Sequence, residues 1–142
     1  MLPEGDAPPP TGYGQGQKGL LVIYAPGETP TETLNGFLNK ILQAIKYDLE
    51  RDAITYYKTP QQPLSLANLV REGAFQHVLL FGITPSQIGL NLDISPYEPT
   101  TWQHTHILPA DGLEAIYRER QSGGKEKSAR LWAMLKQTFL AS

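Results

Sequence analysis

The sequence predicts an α/β domain, a three-layer α/β/α sandwich around a central four-stranded, mainly parallel sheet. Short apolar runs alternate along the chain with amphipathic segments, and turn residues separate them. The apolar runs are continuous rather than alternating, which is typical of strands covered on both faces. The order of strands and helices then favours crossover connections between parallel strands.

Composition narrows the class of protein. The chain has 142 residues, 40% hydrophobic and 18% charged, which suits one ordinary domain with a buried core. A net charge of −2 gives no general attraction to nucleic acid or anionic membrane. The lack of cysteine excludes disulfides, a thiolate nucleophile, iron–sulfur clusters and cysteine-ligated zinc. No apolar run reaches the roughly 20 residues of a membrane span, and no signal-peptide pattern is present. We expect a cytoplasmic protein without cofactor or metal.

Residues 1–18 are rich in Pro, Gly and Gln and contain almost nothing that could pack in a core. We predict a flexible tail there, followed by a single α/β domain over residues 19–142. The tail is either a disordered end without a role or a short motif that orders on a partner, anchored by Leu2 or Tyr13.

The first strand is predicted at Leu20–Tyr24, and a Pro-Gly turn follows it. Thr29 is predicted as the N-cap of the next helix, with Pro30 at the first helical position and Glu32 completing a capping box. A strand, loop and helix of this kind form a corner where α/β proteins often bind ligands.

One face of this helix is predicted to be apolar, because hydrophobic side chains recur at spacings of three and four. They are Leu34, Phe37, Leu38, Ile41, Leu42 and Ile45. The residues between them, including Asn35, Asn39 and Lys40, are expected to lie mostly toward water.

Further strands are predicted at Ala53–Tyr57, His77–Phe81 and His104–Leu108, the last stopped by Pro109. A helix over residues 65–70 and a short helix after Pro85 are predicted between them. Residues 91–103 are predicted to be irregular.

The C-terminal part is predicted as two helices. Leu113, Ile116 and Tyr117 indicate the first, and residues 122–124 interrupt the pattern. The inner face of the closing helix is predicted at Ala129, Leu131, Trp132, Leu135 and Phe139. On this spacing, Trp132 and Phe139 are core residues.

Three stretches resemble the uracil-DNA glycosylase superfamily. They are VIYAPGETP with LNGFLNKILQAIKYD, then FQHVLLFGITPSQIGL, and finally ILPADGLEAI with GKEKSARLWAMLKQTF. They are similar to that superfamily's first strand, loop and helix, to its third strand and turn, and to its closing strand, loop and helix. The resemblance runs from about Gly19 to Phe139 and implies a glycosylase-like fold.

The resemblance also implies that the chemistry is lost. The family's first loop supplies a carboxylate that orients water, and Tyr24 takes its place here. A phenol, with a pKa of about 10, is a poor base at neutral pH. The family's last loop supplies a His, whereas Asp111 in this loop would repel the developing anion. The degenerate ligand loop comprises Tyr24, Pro26, Gly27 and Glu28.

The chain also resembles a non-catalytic family of this fold, the psi subunits of bacterial DNA polymerase III. The shared features are the N-terminal segment, a Thr-Pro-Ser loop, and a closing helix with Arg130, Leu131 and Trp132 after two lysines. This resemblance implies a clamp-loader accessory protein, with a tail that docks on the clamp loader and a domain that pairs with the chi subunit.

Two hypotheses follow. The first is a non-enzymatic interaction module of the replication or repair machinery, with a protein partner and a weaker DNA contact. The alternative is a nucleobase- or nucleotide-acting hydrolase whose rearranged site uses Glu28, Asp111 and His106. His104 and His106 could share a metal, but the sequence names no third ligand.

Two surfaces are candidates for contacts with partners. Lys125, Lys127, Arg130 and Lys136 form a basic cluster that either binds nucleic acid or is the solvated face of the helix. Tyr97 and Trp102, in the Pro-rich irregular segment, are expected to be exposed aromatics that contact a protein partner.

Overall fold

The structure, a computed structural model, describes residues 14–25, 27–57, 75–83, 89, 95, 97–102 and 105–140. Several predictions lie outside these residues: the tail over residues 1–13, the helices over 65–70 and after Pro85, and the side chains of Pro26 and His104. None of the helices in the described ranges has the length and apolar character needed to cross a bilayer.

The fold is α/β, and its sheet has five strands in the order β2-β1-β3-β5-β4. The strands are β1 (Leu20–Tyr24), β2 (Ala53–Tyr57), β3 (His77–Phe81), β4 (Thr100–Trp102) and β5 (Thr105–Ala110). β1 pairs in parallel with β2 and β3, and β3 pairs in parallel with β5. The mainly parallel sheet is thus confirmed, whereas the predicted count of four strands is wrong.

The additional strand is β4, which pairs antiparallel with β5 inside the stretch predicted to be irregular. β5 also continues through Pro109, so the prediction that this proline stops the strand is wrong. His106 donates its backbone N–H toward β3, to the carbonyl of Gln76. Because strand residues alternate sides, Pro109 faces the β4 side, beyond the last β4 pair at Thr100 and Ile107. The missing N–H therefore breaks no ladder bond.

Four described helices accompany the sheet: α1 (Thr31–Gln43), α2 (Leu49–Asp52), α3 (Leu113–Gln121) and α4 (Glu126–Leu135). A π-helical turn over Lys136–Leu140 continues α4. The predicted apolar face of α1 is confirmed, since Leu34, Leu38, Ile41, Leu42 and Ile45 are buried and Phe37 is partly buried against them.

The start of α1 differs from the prediction. Pro30 is the N-cap, and no side chain caps the helix, so the Thr29–Glu32 capping box does not form. The backbone N–H of Thr29 instead donates to Glu114 Oε1 at 2.7 Å. Asn35 does not simply face water, because its side chain forms hydrogen bonds with the hydroxyls of Tyr24 and Tyr57.

The folded part of the chain begins before the predicted boundary at residue 19. The backbone N–H groups of residues 15–18 donate to carbonyls of residues 50–53, and Lys18 Nζ lies 3.8 Å from the buried carboxylate of Asp52. Arg51, hydrogen-bonded to Asp52, is the main cause of the lowered pKa of that carboxyl. Residues 14–18 therefore belong with α2 and β2 rather than with a tail.

The side chains of β1 alternate between two buried clusters. Leu20, Val22 and Tyr24 join residues of all four described helices in the first. Leu21 and Ile23 join residues of β3 and β5 in the second, with the ring of Trp102 packed against them. Both sides of β1 are fully buried, as its continuous hydrophobicity predicted.

Candidate functional site

The carboxyl ends of β1, β3 and β5 meet at one edge of the sheet, which we call the carboxyl edge. The parallel register aligns Tyr24 with Phe81 and Phe81 with Ala110, so the loops that follow these strands lie side by side. Gly82 shows how closely they pack, since its φ is +68° and a Cβ there would lie 2.8 Å from the Cα of Gly112. In open α/β folds this edge is the usual position for a ligand.

Tyr24 ends β1 as a fully buried hydrogen-bond donor. Its hydroxyl donates to Asn35 Oδ1 at 2.8 Å, and Asn35 Nδ2 donates to the hydroxyl of Tyr57 at 2.8 Å. The rings of Tyr24 and Tyr57 meet edge to face, 5.2 Å between centroids. Burial, followed by the neighbouring Tyr57, raises the pKa of Tyr24 above its ordinary value of 10.0. The phenol therefore stays protonated and cannot accept a proton from water.

A carboxylate of the chain itself fills the loop between β1 and α1. Glu114, on the first turn of α3, accepts a hydrogen bond from the backbone N–H of Thr29, and Arg118 Nη2 lies 3.1 Å from its other oxygen. The Thr29 N–H is the main cause of the lowered pKa of Glu114. A Cβ on Gly27 would contact the Glu114 carboxylate, which would have to shift to accommodate it.

Sequence reasoning missed Glu114 and Arg118. A signal was present, because an acidic residue two positions after Gly112 suits the first turn of a helix. The partner on the first loop is 85 residues away, and no local pattern connects the two.

The two acidic candidates at this edge are also engaged. Glu28, with a side chain 86% exposed, lies 3.5 Å from Arg118 Nη2. Asp111 Oδ2 accepts a hydrogen bond from the Tyr97 hydroxyl at 2.8 Å and lies 3.7 Å from Lys127 Nζ. Each carboxylate thus has its own cationic partner, and the described contacts place no titratable group between them as a shared base or acid.

Tyr97 and Trp102 are not the free aromatics that the sequence suggested. Tyr97 is half-buried, donates its backbone N–H to the carbonyl of Pro109 at 2.7 Å and packs against the core. Burial, then the hydrogen bond to Asp111, raises the pKa of its hydroxyl. Trp102 is half-buried against the second cluster. Their prediction as exposed partner contacts is wrong, because β4 and the segment before it pack onto β5.

His106 lies at the opposite edge of the sheet from Glu28 and Asp111. It is the second residue of β5, aligned with His77, whereas Asp111 follows the last residue of that strand. Five residues of extended chain separate them by about 16 Å. The ring of His106 stacks on His77, 5.3 Å between centroids, and its Nδ1 lies 3.3 Å from Thr101 Oγ1. The structure does not bring the three predicted catalytic residues together.

No group of three or more potential metal ligands occurs among the residues that the structure describes. His77, which stacks on His106, keeps a buried Nδ1 with no hydrogen-bond partner. Burial, then the proximity of His106, lowers the pKa of His77. Phe139 packs against this histidine pair, with 4.5 Å between the ring centroids of Phe139 and His77. The pair is therefore part of the packing at the amino ends of the strands.

The predicted basic cluster divides into two parts. Lys127 pairs with Asp111, and Arg130 pairs with Glu126 at 3.0 Å along α4. Lys136 instead lies over the ring of Trp132, 4.7 Å from its centroid. Trp132 is 37% exposed, so its prediction as a core residue is wrong. Met134, between Leu131 and Leu135, takes the core position.

A polar cleft of about 450 Å³ lies between α1 and β2, next to the carboxyl edge. Asn35 and Asn39 line it, yet both amides are already bonded, Asn35 to Tyr24 and Tyr57 and Asn39 Oδ1 to the backbone N–H of Leu49. The described hydrogen bonds therefore hold these amides in structural roles.

The sequence matches no protein-family model, and it matches no curated protein. The function must therefore be argued from the residues themselves.

Proposed function

We propose that this protein is a non-catalytic protein-interaction domain of the replication or repair machinery, built on a three-layer, glycosylase-like α/β/α scaffold. The observation that carries the proposal is the position of Glu114. Its carboxylate accepts a hydrogen bond from the backbone N–H of Thr29 in the β1–α1 loop, at the corner where a ligand would bind. A side chain of the protein thus takes the place of a ligand anion.

The chemistry of the remaining groups supports the same proposal. Hydrolysis of a glycosidic bond needs a base for water and a donor or cation for the leaving group. Tyr24 is a buried, protonated phenol, and Glu28 is largely exposed and paired with Arg118. Asp111 already accepts a hydrogen bond from the Tyr97 hydroxyl and is paired with Lys127. None of these residues supplies the required pair of roles.

The assignment to replication or repair rests on the resemblance of the closing helix to psi subunits. Arg130, Leu131 and Trp132 carry that resemblance, and Trp132 is exposed on the surface of α4. An exposed tryptophan is a common anchor in protein–protein interfaces. A clamp-loader protein is accordingly the partner class that we propose.

A uracil-release assay tests the non-catalytic part of the proposal. Full-length protein is incubated with single- and double-stranded oligonucleotides that contain uracil, and free base is measured. We expect no release above the buffer control, and no release from Glu114→Gln, which removes the internal anion. Release by the wild-type protein that disappears in Glu28→Ala and Asp111→Ala would overturn the proposal.

Affinity capture from the native host tests the partner class. Tagged full-length protein is compared with the same chain carrying Leu2→Ala and Tyr13→Ala, and bound proteins are identified by mass spectrometry. We expect clamp-loader proteins to be enriched on the wild-type chain over a tag-only control. Failure of both chains to retain any replication or repair protein would count against this assignment.

A further inference from the structure

We propose that the groove between α1, α3 and α4 binds an acidic peptide segment that carries an apolar anchor side chain. The groove has a volume of about 530 Å³ and is lined by Phe37, Lys40, Ile41, Arg120, Lys125 and Trp132, among others. This proposal rests on the proposed function as an interaction domain and adds the surface and the chemistry of the partner.

The floor of the groove is apolar and accessible. In the described part of the chain, Trp132 is the one large hydrophobic side chain that is exposed. Phe37 is partly buried and meets Tyr117 edge to face, 5.3 Å between centroids, while Ile41 is 9% exposed beside it. Phe37 and Ile41 pack in the first core cluster and also line the groove, and Trp132 adds an exposed ring beside them. They offer a preformed position for one apolar side chain of a partner.

The rim of the groove is cationic. Lys40, Arg120 and Lys125 line it, and no carboxylate among the described residues forms an ion pair with any of them. On the same two C-terminal helices, Arg118 and Lys127 are paired with carboxylates of the carboxyl edge. The positive charge of the groove is thus left for a ligand. Carboxylates that flank an apolar anchor would complement it.

An acidic peptide fits this groove better than single-stranded nucleic acid. Proteins that bind single strands use a series of exposed aromatics along a basic track. Trp132 stands alone here, and Lys136 already covers one face of its ring at 4.7 Å. An acidic peptide with one apolar side chain needs neither a series of aromatics along a basic track nor an uncovered face of the Trp132 ring.

Selection from a phage-displayed library of random dodecapeptides tests the proposal without assuming a sequence. The full-length protein is the bait, and a Trp132→Ala bait removes non-specific binders. We expect enriched peptides to share Asp or Glu residues around a Leu, Ile, Phe or Trp. An enriched set without acidic residues, or no enrichment over the Trp132→Ala bait, would overturn the proposal.

Binding of the most enriched peptide is then measured with variants of the full-length chain. We expect Trp132→Ala and Lys40→Glu each to weaken binding by about tenfold or more, with unchanged circular dichroism. Lys46→Glu is the matched control, because Lys46 is exposed and unpaired but lies outside the groove. Equal weakening by Lys46→Glu would show a general charge effect and overturn the proposal.

The other occupants are outcomes of the same experiments. A fluorescein-labelled oligothymidylate that binds in a Trp132-dependent manner and excludes the peptide would assign the groove to nucleic acid instead. Clamp-loader capture that is equal for wild type and Trp132→Ala would overturn the groove as the docking surface while leaving the proposed function intact. Loss of capture by wild type itself would count against the proposed function, whatever the peptide result.

Discussion

The carboxyl edge of the sheet and the groove beside α4 differ in whether their charged side chains are paired within the chain. At the edge, the carboxylates of Glu28, Asp111 and Glu114 are each within reach of a cationic side chain of the same chain. At the groove, Lys40 and Arg120 have no carboxylate partner among the described residues. Partners within the chain stabilise the fold, and unpaired charges remain available to other molecules. The difference separates a corner whose charges are paired within the chain from a groove whose charges are available to a partner.

The two regions also differ in how tightly they pack. At the edge, a methyl group on Gly82 would lie 2.8 Å from the Cα of Gly112, a backbone atom that cannot easily move away. In the α3–α4 turn, by contrast, a Cβ at Gly123 would meet no atom within 4 Å. We therefore expect substitutions at the edge to change stability and substitutions at the groove to change binding.

The largest contrast in stability is expected between two neighbours on α4. Leu131 is fully buried, whereas Trp132 is 37% exposed. Leu131→Ala should lower the free energy of unfolding by about 3 kcal/mol, because it leaves a cavity in the core. Trp132→Ala should lower it by only about 1 kcal/mol. Urea denaturation followed by circular dichroism measures both, and equal losses would show that Trp132 supports the fold rather than an interface.

The packing of the edge is tested by a pair of glycines with positive φ. Gly82→Ala should cost about 3 kcal/mol, because the left-handed backbone and the contact with Gly112 both oppose a Cβ. Gly123→Ala at φ +94° has the backbone cost alone, about 1 kcal/mol. The difference in unfolding free energy measures the closeness of the loops. Identical values for the two variants would mean that the edge is not tightly packed.

The hydroxyl of Tyr24 gives a smaller test. Tyr24→Phe removes the donor to Asn35 in a buried environment and should cost about 1 to 2 kcal/mol. Tyr117→Phe is the control beside the groove, since its hydroxyl has no partner among the described residues. That change should stay within about 0.5 kcal/mol. A Tyr24→Phe variant as stable as wild type in urea would contradict a structural role for this hydrogen bond.

The smallest effect is a pH dependence from Glu114. Its folded-state pKa lies below the ordinary value of 4.5, so its contribution to stability is complete above about pH 4.5 and is lost as the pH falls through the folded-state pKa. Glu114→Gln should therefore flatten the fall of the melting temperature between pH 5 and 3. Glu126→Gln, which removes the exposed pair with Arg130, is the matched control for loss of one carboxylate. If the melting temperature of Glu114→Gln fell between pH 5 and 3 as steeply as that of the wild type, the role of Glu114 as an internal anion would be contradicted.

Much of the sheet could be predicted because its central strands are encoded locally. Leu20–Tyr24, Ala53–Tyr57 and His77–Phe81 were predicted to the residue, and each is an apolar or β-branched run bounded by turn signals. β4 was missed because it has three residues inside a Pro-rich stretch. Pro109 was misread because the rule that proline ends a strand ignores which side its missing N–H faces.

The site was harder to predict because its contacts are not local. Tyr24 could be predicted at the end of the first strand, but its hydrogen bond to Asn35 depends on how α1 crosses the sheet. Glu114 reaches Thr29 from a helix near the other end of the sequence. Trp132 was assigned to the core because it is hydrophobic and follows Leu131. The buried residues of α4 are instead Leu131, Met134 and Leu135, and this spacing places Trp132 on the outer side of the helix.

Pro109 has a consequence for self-association. β2 and β4 are the outer strands of the sheet, and an outer strand can recruit a strand of another molecule. At β2, the backbone N–H of Gly16 already donates to the carbonyl of Ala53. At the other border, β4 is three residues long, and any extension of it would face a proline without an N–H. Pro109 thus limits the length of β4, so this outer strand of the described sheet offers few backbone groups to a strand of a neighbouring copy.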